Sequence, residues 1–337
     1  MLISGAQQLD SATMDGSLFS TSVYCDLSNS RHPEAWSRFL EKAGRENLLV
    51  HARTRFRHCE QEPNCMTLRA VWGGAESLHF SDGRHLRLDD DCFIILNDDS
   101  SYTTQIAADQ PVNLFTAYFC TGMVQEVYAA FTRPLEELLE NTNFINDGQL
   151  RFNEHVREHG GEITNLLKVL VADAELGKSD GNELHERVIE LLFAMIRSEN
   201  RMWAAADKLG LARHNTRHEL FRRLHRARDF IHGHYEQDID IKEMAAHASI
   251  STCHFVRFFK KCFDITPHQY LCKKRSIAAE RLIKSQPDML LAEIAQNVGF
   301  ENRQTLFRNL KKFTGQAPSS LRNSQVSSVR QIQTAAE

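Results

Sequence analysis

The spacing of apolar residues divides the chain into three regimes. From about Asn47 to Cys120 the apolar positions alternate with polar ones in short, β-branched and aromatic segments: LLVHARTRFRH, CMTLRAVW, ESLHF, RHLRL, CFIILN, YTTQIA and VNLFTAYFC. Turn residues separate them at Gly73-Gly74, Ser81-Asp82-Gly83, Asp89-Asp90-Asp91 and Asn97-Asp98-Asp99. Period two with such punctuation predicts seven short strands in an antiparallel sandwich or barrel. After Cys120 the period becomes helical, over Glu126 to about Glu140, about Asn153 to Leu176, and Glu183 to about Ala206. In the last of these Leu184, Val188, Leu191, Leu192 and Met195 form an apolar stripe, which must be covered either by its own domain or by a two-fold partner. Before the strands, residues 1–30 are polar and aperiodic, a flexible lead-in, and Pro33 to Ala43 has the look of a short Pro-first helix.

The third regime holds one helical pattern written twice. EMAAHASISTCHFVRFFKKCFDITPHQYL starts at Glu243 and EIAQNVGFENRQTLFRNLKKFTGQAPSSL at Glu293. Met244, Ala245 and Ile250 match Ile294, Ala295 and Phe300 at an offset of 50; Phe255, Arg257, Phe259, Lys260, Lys261 and Pro267 match Leu306, Arg308, Leu310, Lys311, Lys312 and Pro318 at 51. Each copy reads as a short helix, a tight turn and a second helix. Gly299 sits at the second turn and Ser249 at the first, with Ser251 placed to cap the helix that follows. Between the copies, Pro267 to about Ser285 predicts a linking helix of about 28 Å. A basic helix over Arg217 to Tyr235 leads into the first copy. It carries His218, His225 and His232 at sevenfold spacing, suited either to a metal or pH-sensing face or to a solvated, phosphate-facing stripe.

Charge separates the same regions. The overall charge is −4, but 20 Lys and Arg face 11 Asp and Glu between Arg213 and Arg322, a net of +9, while Met1 to Ala212 carries 19 against 32, a net of −13. A basic helical module on an acidic partner is the electrostatic footprint of nucleic-acid binding. The start of the chain lacks a basic-then-apolar signal, and no run of 18 apolar residues occurs, so a soluble cytoplasmic chain is expected. The eight cysteines form no CxxC pair, which argues for reduced thiols.

Reading DNA in the major groove needs a helix anchored on one face and polar on the other. In the second copy Leu306 and Leu310 are spaced for a core, which leaves Arg303, Gln304, Phe307 and Arg308 to face outward. Arg pairs with guanine O6 and N7, Gln with adenine, and Phe presses on a thymine methyl. In the first copy Phe255 and Phe259 point inward and Thr252, Cys253, Val256, Arg257 and Lys260 outward, a less polar face that relies on apolar contact and DNA shape. Lys260, Lys261, Lys311 and Lys312 are placed to grip phosphate or to serve as solvated charges. Discrimination is therefore expected to rest more on Arg303 to Arg308 than on Thr252 to Arg257.

The C-terminal 100 or so residues resemble the DNA-binding domain of AraC/XylS-type transcription regulators. The likeness is carried by GFENRQTLFRNLKKFTGQAP (Gly299 to Pro318) and, in the first copy, by IKEMAAHASIS, HFVRFFKK and TPHQYL. Ser249 and Asp264 stand where that family usually has glycine, and Cys253 where a larger contact residue is common. The resemblance implies two helix-turn-helix units joined by a long helix, with base contacts from Cys253, Val256, Arg257, Arg303, Gln304, Phe307 and Arg308. It further implies promoter DNA as partner, with RNA polymerase, a small-molecule effector and a second copy of the chain as further partners, in the service of activation or of repression. The strand-rich half is similar to the cupin-like sensor and dimerisation domains of that family.

The expected architecture is an α+β two-domain chain: an N-terminal cupin-like barrel or sandwich with helices over 31–209, a linker at 210–216, an all-α domain at 217–324, and a tail at 325–337. The two helix-turn-helix units fall at about 241–263 and 291–313. A second reading is a cupin-type metal-dependent oxygenase with an appended helical domain. His51, His58, Cys59, Cys65, His79 and His85 supply suitable ligand types, yet no His-x-His pair occurs between Asn47 and Cys120, which disfavours that reading. Cys59 with Cys65 is a candidate redox pair, set against ordinary strand and loop residues. No enzyme activity, metal or cofactor is assigned, and no effector-binding residue is singled out.

Overall fold

The computed structural model describes residues 21–25, 41–59, 63–134, 150–176, 181–211 and 213–322. It divides into two compact units, Met1–Ala204 and Ala205–Glu337. The expected helix at Pro33 to Ala43 lies almost wholly outside the described residues, as do the tail and most of the lead-in.

The first unit is a curled sheet of eight strands: β1 (Thr21–Cys25), β2 (Asn47–Cys59), β3 (Thr67–Trp72), β4 (Ala75–Phe80), β5 (His85–Asp89), β6 (Cys92–Leu96), β7 (Tyr102–Tyr118) and β8 (Arg157–Glu158). The strand order is β1-β2-β7-β3-β6-β8, with the β4–β5 hairpin attached through β4 to β7. All described pairings are antiparallel except that of β1 with β2. Two expectations change here. Thr21–Cys25, read as part of an aperiodic lead-in, is a strand; its TSVYC sequence is short but β-branched and aromatic, and an open sheet edge beside β2 receives it. The two strands expected at YTTQIA and VNLFTAYFC are one, the 17-residue β7.

Pro111 explains why one strand looked like two. Proline donates no ladder hydrogen bond and is tolerated in a sheet at an irregularity. The β2–β7 register jumps there, from Thr54↔Val112 to Phe56↔Ala107, so pairing resumes on both sides of the proline. β7 thereby reaches β2, β3 and β4 and holds the sheet together.

Each face of the sheet buries its own core. One face meets α1 (Thr121–Thr132), α2 (Gly161–Leu176) and α3 (Gly181–Ala206), through Leu68, Ala70, Phe93, Ile95, Phe115 and Ala117. Leu184, Val188, Leu191, Leu192 and Met195 lie in this core, so the α3 stripe is covered by its own domain. α1 begins five residues ahead of its expected start, and α2 begins at Gly161 rather than near Asn153 because the intervening segment pairs as β8 with β6. The other face carries Val71, Leu78, Leu88, Ile94, Leu96, Ile106 and Leu114.

An ion pair lies buried within this unit. Arg69 Nη2 donates to Glu76 Oε1 at 2.6 Å and Nε to Oε2 at 3.3 Å, while Nη1 reaches the Tyr118 hydroxyl at 3.4 Å; both charged side chains are 0% exposed. Removing one member leaves an uncompensated charge out of water, whereas removing both does not. Glu76→Ala is therefore expected to lower the stability of the N-terminal unit by about 3–5 kcal/mol, and Arg69→Met with Glu76→Leu to lower it much less. Urea unfolding followed by tryptophan fluorescence measures both, and equal losses would contradict this account.

Candidate nucleic-acid interface

The second unit is all helix: a 3-10 turn (Asp207–Leu209), α4 (His214–His234), α5 (Ile241–His247), α6 (Thr252–Phe263), α7 (Pro267–Ser285), α8 (Leu291–Asn297) and α9 (Arg303–Thr314). α5–α6 and α8–α9 are the two helix-turn-helix units, and α7 joins them over the residues that periodicity predicted. The 210–216 segment expected as an interdomain linker instead lies inside this unit. Lys261 Nζ donates to Leu209 O at 2.9 Å and Lys208 pairs with Asp264 at 3.0 Å, which fastens the 3-10 turn to the end of α6.

The repeated residues have repeated jobs. Glu243 Oε2 accepts the Asp240 N–H at 2.8 Å and Glu293 Oε2 accepts the Leu290 N–H at 3.1 Å, so the first residue of each copy closes the start of its first helix. Met244, Ala245, Ile294 and Ala295 are buried behind them. At the turns, Ser249 and Gly299 both adopt positive φ, +52° and +82°. The second helices are capped differently. Asn302 Oδ1 accepts the Thr305 N–H at 2.9 Å, whereas Ser251, the expected cap of α6, places its hydroxyl 3.1 Å from His254 Nδ1. Thr266 and Gln269 form a reciprocal cap at the start of α7, where Pro267 occupies the first turn.

Two faces result on each second helix. Leu306 and Leu310 of α9 are fully buried, and Arg303, Gln304, Phe307 and Arg308 are exposed, Phe307 at 46%. On α6, Phe255 and Phe259 are fully buried and packed edge to face, and Phe259 meets Tyr270 of α7 at 6.0 Å. Cys253 and Arg257 are exposed, whereas Thr252 and Val256 are half-buried, so α6 offers a narrower face than its spacing suggested. Lys260, Lys311 and Lys312 are exposed; Lys261, grouped with them as a phosphate grip, has its ammonium on the Leu209 carbonyl.

Beside α9 runs a cleft of about 800 Å³, lined by His268, Cys272 and Arg275 of α7 and by Thr305, Arg308 and Lys312 of α9. Sequence reasoning passed over its α7 wall, although the i, i+4, i+7 spacing of 268, 272 and 275 marks one helix face. Burial raises the Cys272 thiol above its ordinary value and pushes Cys262 up to about 12, so both stay protonated at neutral pH. Cys59 and Cys65, the candidate redox pair, are both buried.

The sevenfold histidines do not form a solvated stripe. His225 is 4% exposed, with Phe221 and Phe263 at 4.4 and 5.0 Å, and His232 is buried. In the first unit, His79 and His85 pair across β4 and β5 with ring centroids 4.6 Å apart.

Residues 244–324 match a family model described as a helix-turn-helix domain. LumQ of Photobacterium leiognathi is 29% identical over 91 residues, 27% of this chain and 36% of that protein. The regulatory protein PocR of Salmonella typhimurium is 26% identical over 212 residues, 56% of this chain and 66% of that one. The match thus spans about a third of the first relative and just under two thirds of the second. Among solved structures, the C-terminal domain of AraT, a response regulator from Geobacillus stearothermophilus, is 27% identical with a TM-score of 0.29, covering 30% of this chain and 84% of that chain. Residues 244–324 of the second unit form an AraC-type helix-turn-helix domain. Among the described residues no helix is long and apolar enough to cross a membrane.

One contact ties α4 to the first helix-turn-helix. The His247 ring stacks on Phe230 at 3.7 Å and 15°, and Phe230 meets His234 at 4.5 Å. Loss of hydration, then the neighbouring His234, holds His247 below its ordinary value, with Glu243 opposing. A histidine kept neutral by folding adds stability above its unfolded pKa of about 6.5 and loses it as pH falls through the lower folded value. Thermal midpoints of the C-terminal unit are therefore expected to drop between pH 7 and pH 5, and His247→Phe to flatten that drop. Circular dichroism melts at closely spaced pH values decide it.

Proposed function

We propose that the chain is a sequence-specific, DNA-binding transcription regulator whose two recognition helices, α6 and α9, enter successive major grooves of promoter DNA. The observation that carries this is the division of α9 into a fully buried Leu306–Leu310 face and an exposed Arg303, Gln304, Phe307, Arg308 face. Phe307, 46% exposed on that face beside Arg308, supplies an apolar contact of the kind a thymine methyl accepts. α7, with its 19 residues, spans about 28 Å, close to the roughly 34 Å between major grooves one turn apart.

In this reading Arg303, Gln304 and Arg308 read base edges and Phe307 touches thymine, while Arg257 with Cys253, Val256 and Thr252 forms the weaker reader. Lys260, Lys311 and Lys312 hold phosphates. The curled-sheet unit is the module that binds a small effector and pairs two copies, and RNA polymerase is the partner through which DNA binding becomes activation. The relatives support this line, since PocR is named a regulatory protein.

The test is quantitative binding of the full chain to duplexes selected from a random pool. Arg303→Ala or Gln304→Ala is expected to relax discrimination at one or two base positions by about 1–3 kcal/mol, and Cys253→Ala or Val256→Ala to relax it less. Lys312→Ala should weaken all sequences alike and make the salt dependence shallower by about one counterion. Equal losses for every sequence on changing Arg303 would point to a nonspecific binder, and absence of any selected sequence would overturn the proposal.

A further inference from the structure

Three segments far apart in the chain meet around one guanidinium. Arg275, on the cleft face of α7, donates from Nε to Tyr235 O at 2.7 Å and from Nη2 to Gln237 O at 2.7 Å. Tyr235 to Gln237 leave the end of α4 and lead into α5, the first helix of the first helix-turn-helix. From the other side comes Gly299, the turn residue of the second. A Cβ on Gly299 would lie 2.7 Å from Glu236 O, 2.8 Å from Tyr235 O and 3.0 Å from Arg275 Cζ. Phe300, 4% exposed, sets its ring 5.8 Å from the same guanidinium carbon.

The chemistry of this contact is directional. An arginine fork that serves two carbonyls at once fixes angle as well as distance, which a lysine ammonium cannot do. The turn at Gly299 presses on the carbonyls that Arg275 holds, and it fits only because no side chain intervenes. α7 by itself would leave the first helix-turn-helix attached to the second through one helix, a joint about which it could swing. The contact at Arg275 adds a second attachment away from the helix axis.

We propose that Arg275 and Gly299 determine operator geometry: by locking the second turn onto the α4–α5 connection, they set the distance and rotational phase between the two recognition helices. The inference rests on the two-helix reading given above. Arg275 spends its donors on protein carbonyls, so it is a positioning residue that acts through α6 and α9. One inserted base pair shifts a half-site by about 3.4 Å and turns it by roughly 35°. A locked pair of helices cannot follow that change, and a hinged pair can.

The experiment uses the full chain and a bipartite duplex selected with it from random sequence, alongside duplexes with one base pair inserted or deleted between the half-sites and a duplex holding only the α9 half-site. The wild-type chain is expected to lose about tenfold or more in affinity on insertion or deletion, comparable to a mismatched pair. Arg275→Met and Gly299→Ala, acting from opposite sides of one contact, are expected to bind the α9 half-site within about twofold of wild type yet to lose under about threefold on changing the spacer, well below the penalty of a mismatched pair. Arg275→Lys, which keeps the charge without the fork, should behave as Arg275→Met does. An unchanged spacer penalty in both variants overturns the proposal, and so does joint loss of half-site binding, which would make the contact a requirement for folding. Specific binding by wild type with no spacer penalty defeats the lock alone. Failure of wild type to select any sequence defeats the two-helix reading beneath it.

Discussion

The anchoring of each recognition helix by one aliphatic or aromatic face is the constraint on which the C-terminal unit depends. A helix of 12 residues is too short to persist alone in water, so its stability comes from the side it buries. On α9 that side is Leu306 and Leu310, each fully buried and each worth about 1.5–3 kcal/mol of transfer free energy. On α6 it is Phe255 and Phe259, whose edge-to-face contact continues through Tyr270 into α7. Because i and i+4 take the inward face, the intervening positions have no choice but to face out. Exposure of Arg303, Gln304, Phe307 and Arg308 is thus a geometric consequence of where the leucines sit, and the chemistry at those positions is then free to be whatever DNA requires.

The basic charge of this unit divides by the same logic into internal and external parts. Lys208 and Lys261 fasten the 3-10 turn to the end of α6, and Arg275 holds the α4–α5 connection. Lys261 and Arg275 contribute to the count that marks a nucleic-acid binder while donors of both already serve the protein. Net charge therefore identifies the class of partner but overstates the number of groups that meet it. Lys242, Lys260, Lys311, Lys312 and the exposed arginines are the cations left facing solvent.

Legibility followed the range of the contacts involved. The doubled helix-turn-helix, the linking helix from Pro267 to Ser285 and the outward face of α9 were visible because each depends on neighbours within two helical turns. The strands were visible for the same reason, yet β7 was split in two because Pro111 reads locally as a break and only the partner strand shows that the ladder jumps across it. The histidines at 218, 225 and 232 looked like a stripe by spacing alone, but His225 is enclosed by Phe221 and Phe263, and spacing on a helix does not say which side another element will cover. Ser251 has the right residue type and position for a cap, and its hydroxyl goes to His254 instead. The role of Arg275 was invisible: spacing places it on one face of α7 with His268 and Cys272, but its acceptors lie 40 and 38 residues away.

The asymmetry between the two copies takes a different meaning once the contacts are known. Ser249 and Gly299 both bend the chain through positive φ, and a serine there costs about 1–2 kcal/mol relative to glycine. Ser249 is exposed, so the first turn needs only the dihedral angle, which serine reaches at that modest cost. Gly299 meets two carbonyl oxygens and a guanidinium at distances no Cβ would tolerate, so the second turn needs the angle and the space together. At the helix ends the pair differs in another way: Asp264 adopts φ +59° and Gly315 φ +74°, and a Cβ on Gly315 would meet nothing within 4 Å, so that turn needs the angle alone. Of the two helix-turn-helix turns, glycine stands at the one that presses on the α4–α5 connection and serine at the exposed one. The difference in sequence between the copies therefore reports their places in the domain as much as their roles on DNA. A change at Ser249 and a change at Gly299 are not equivalent substitutions of a repeated motif, because only the second would push a side chain into the α4–α5 connection and the Arg275 guanidinium.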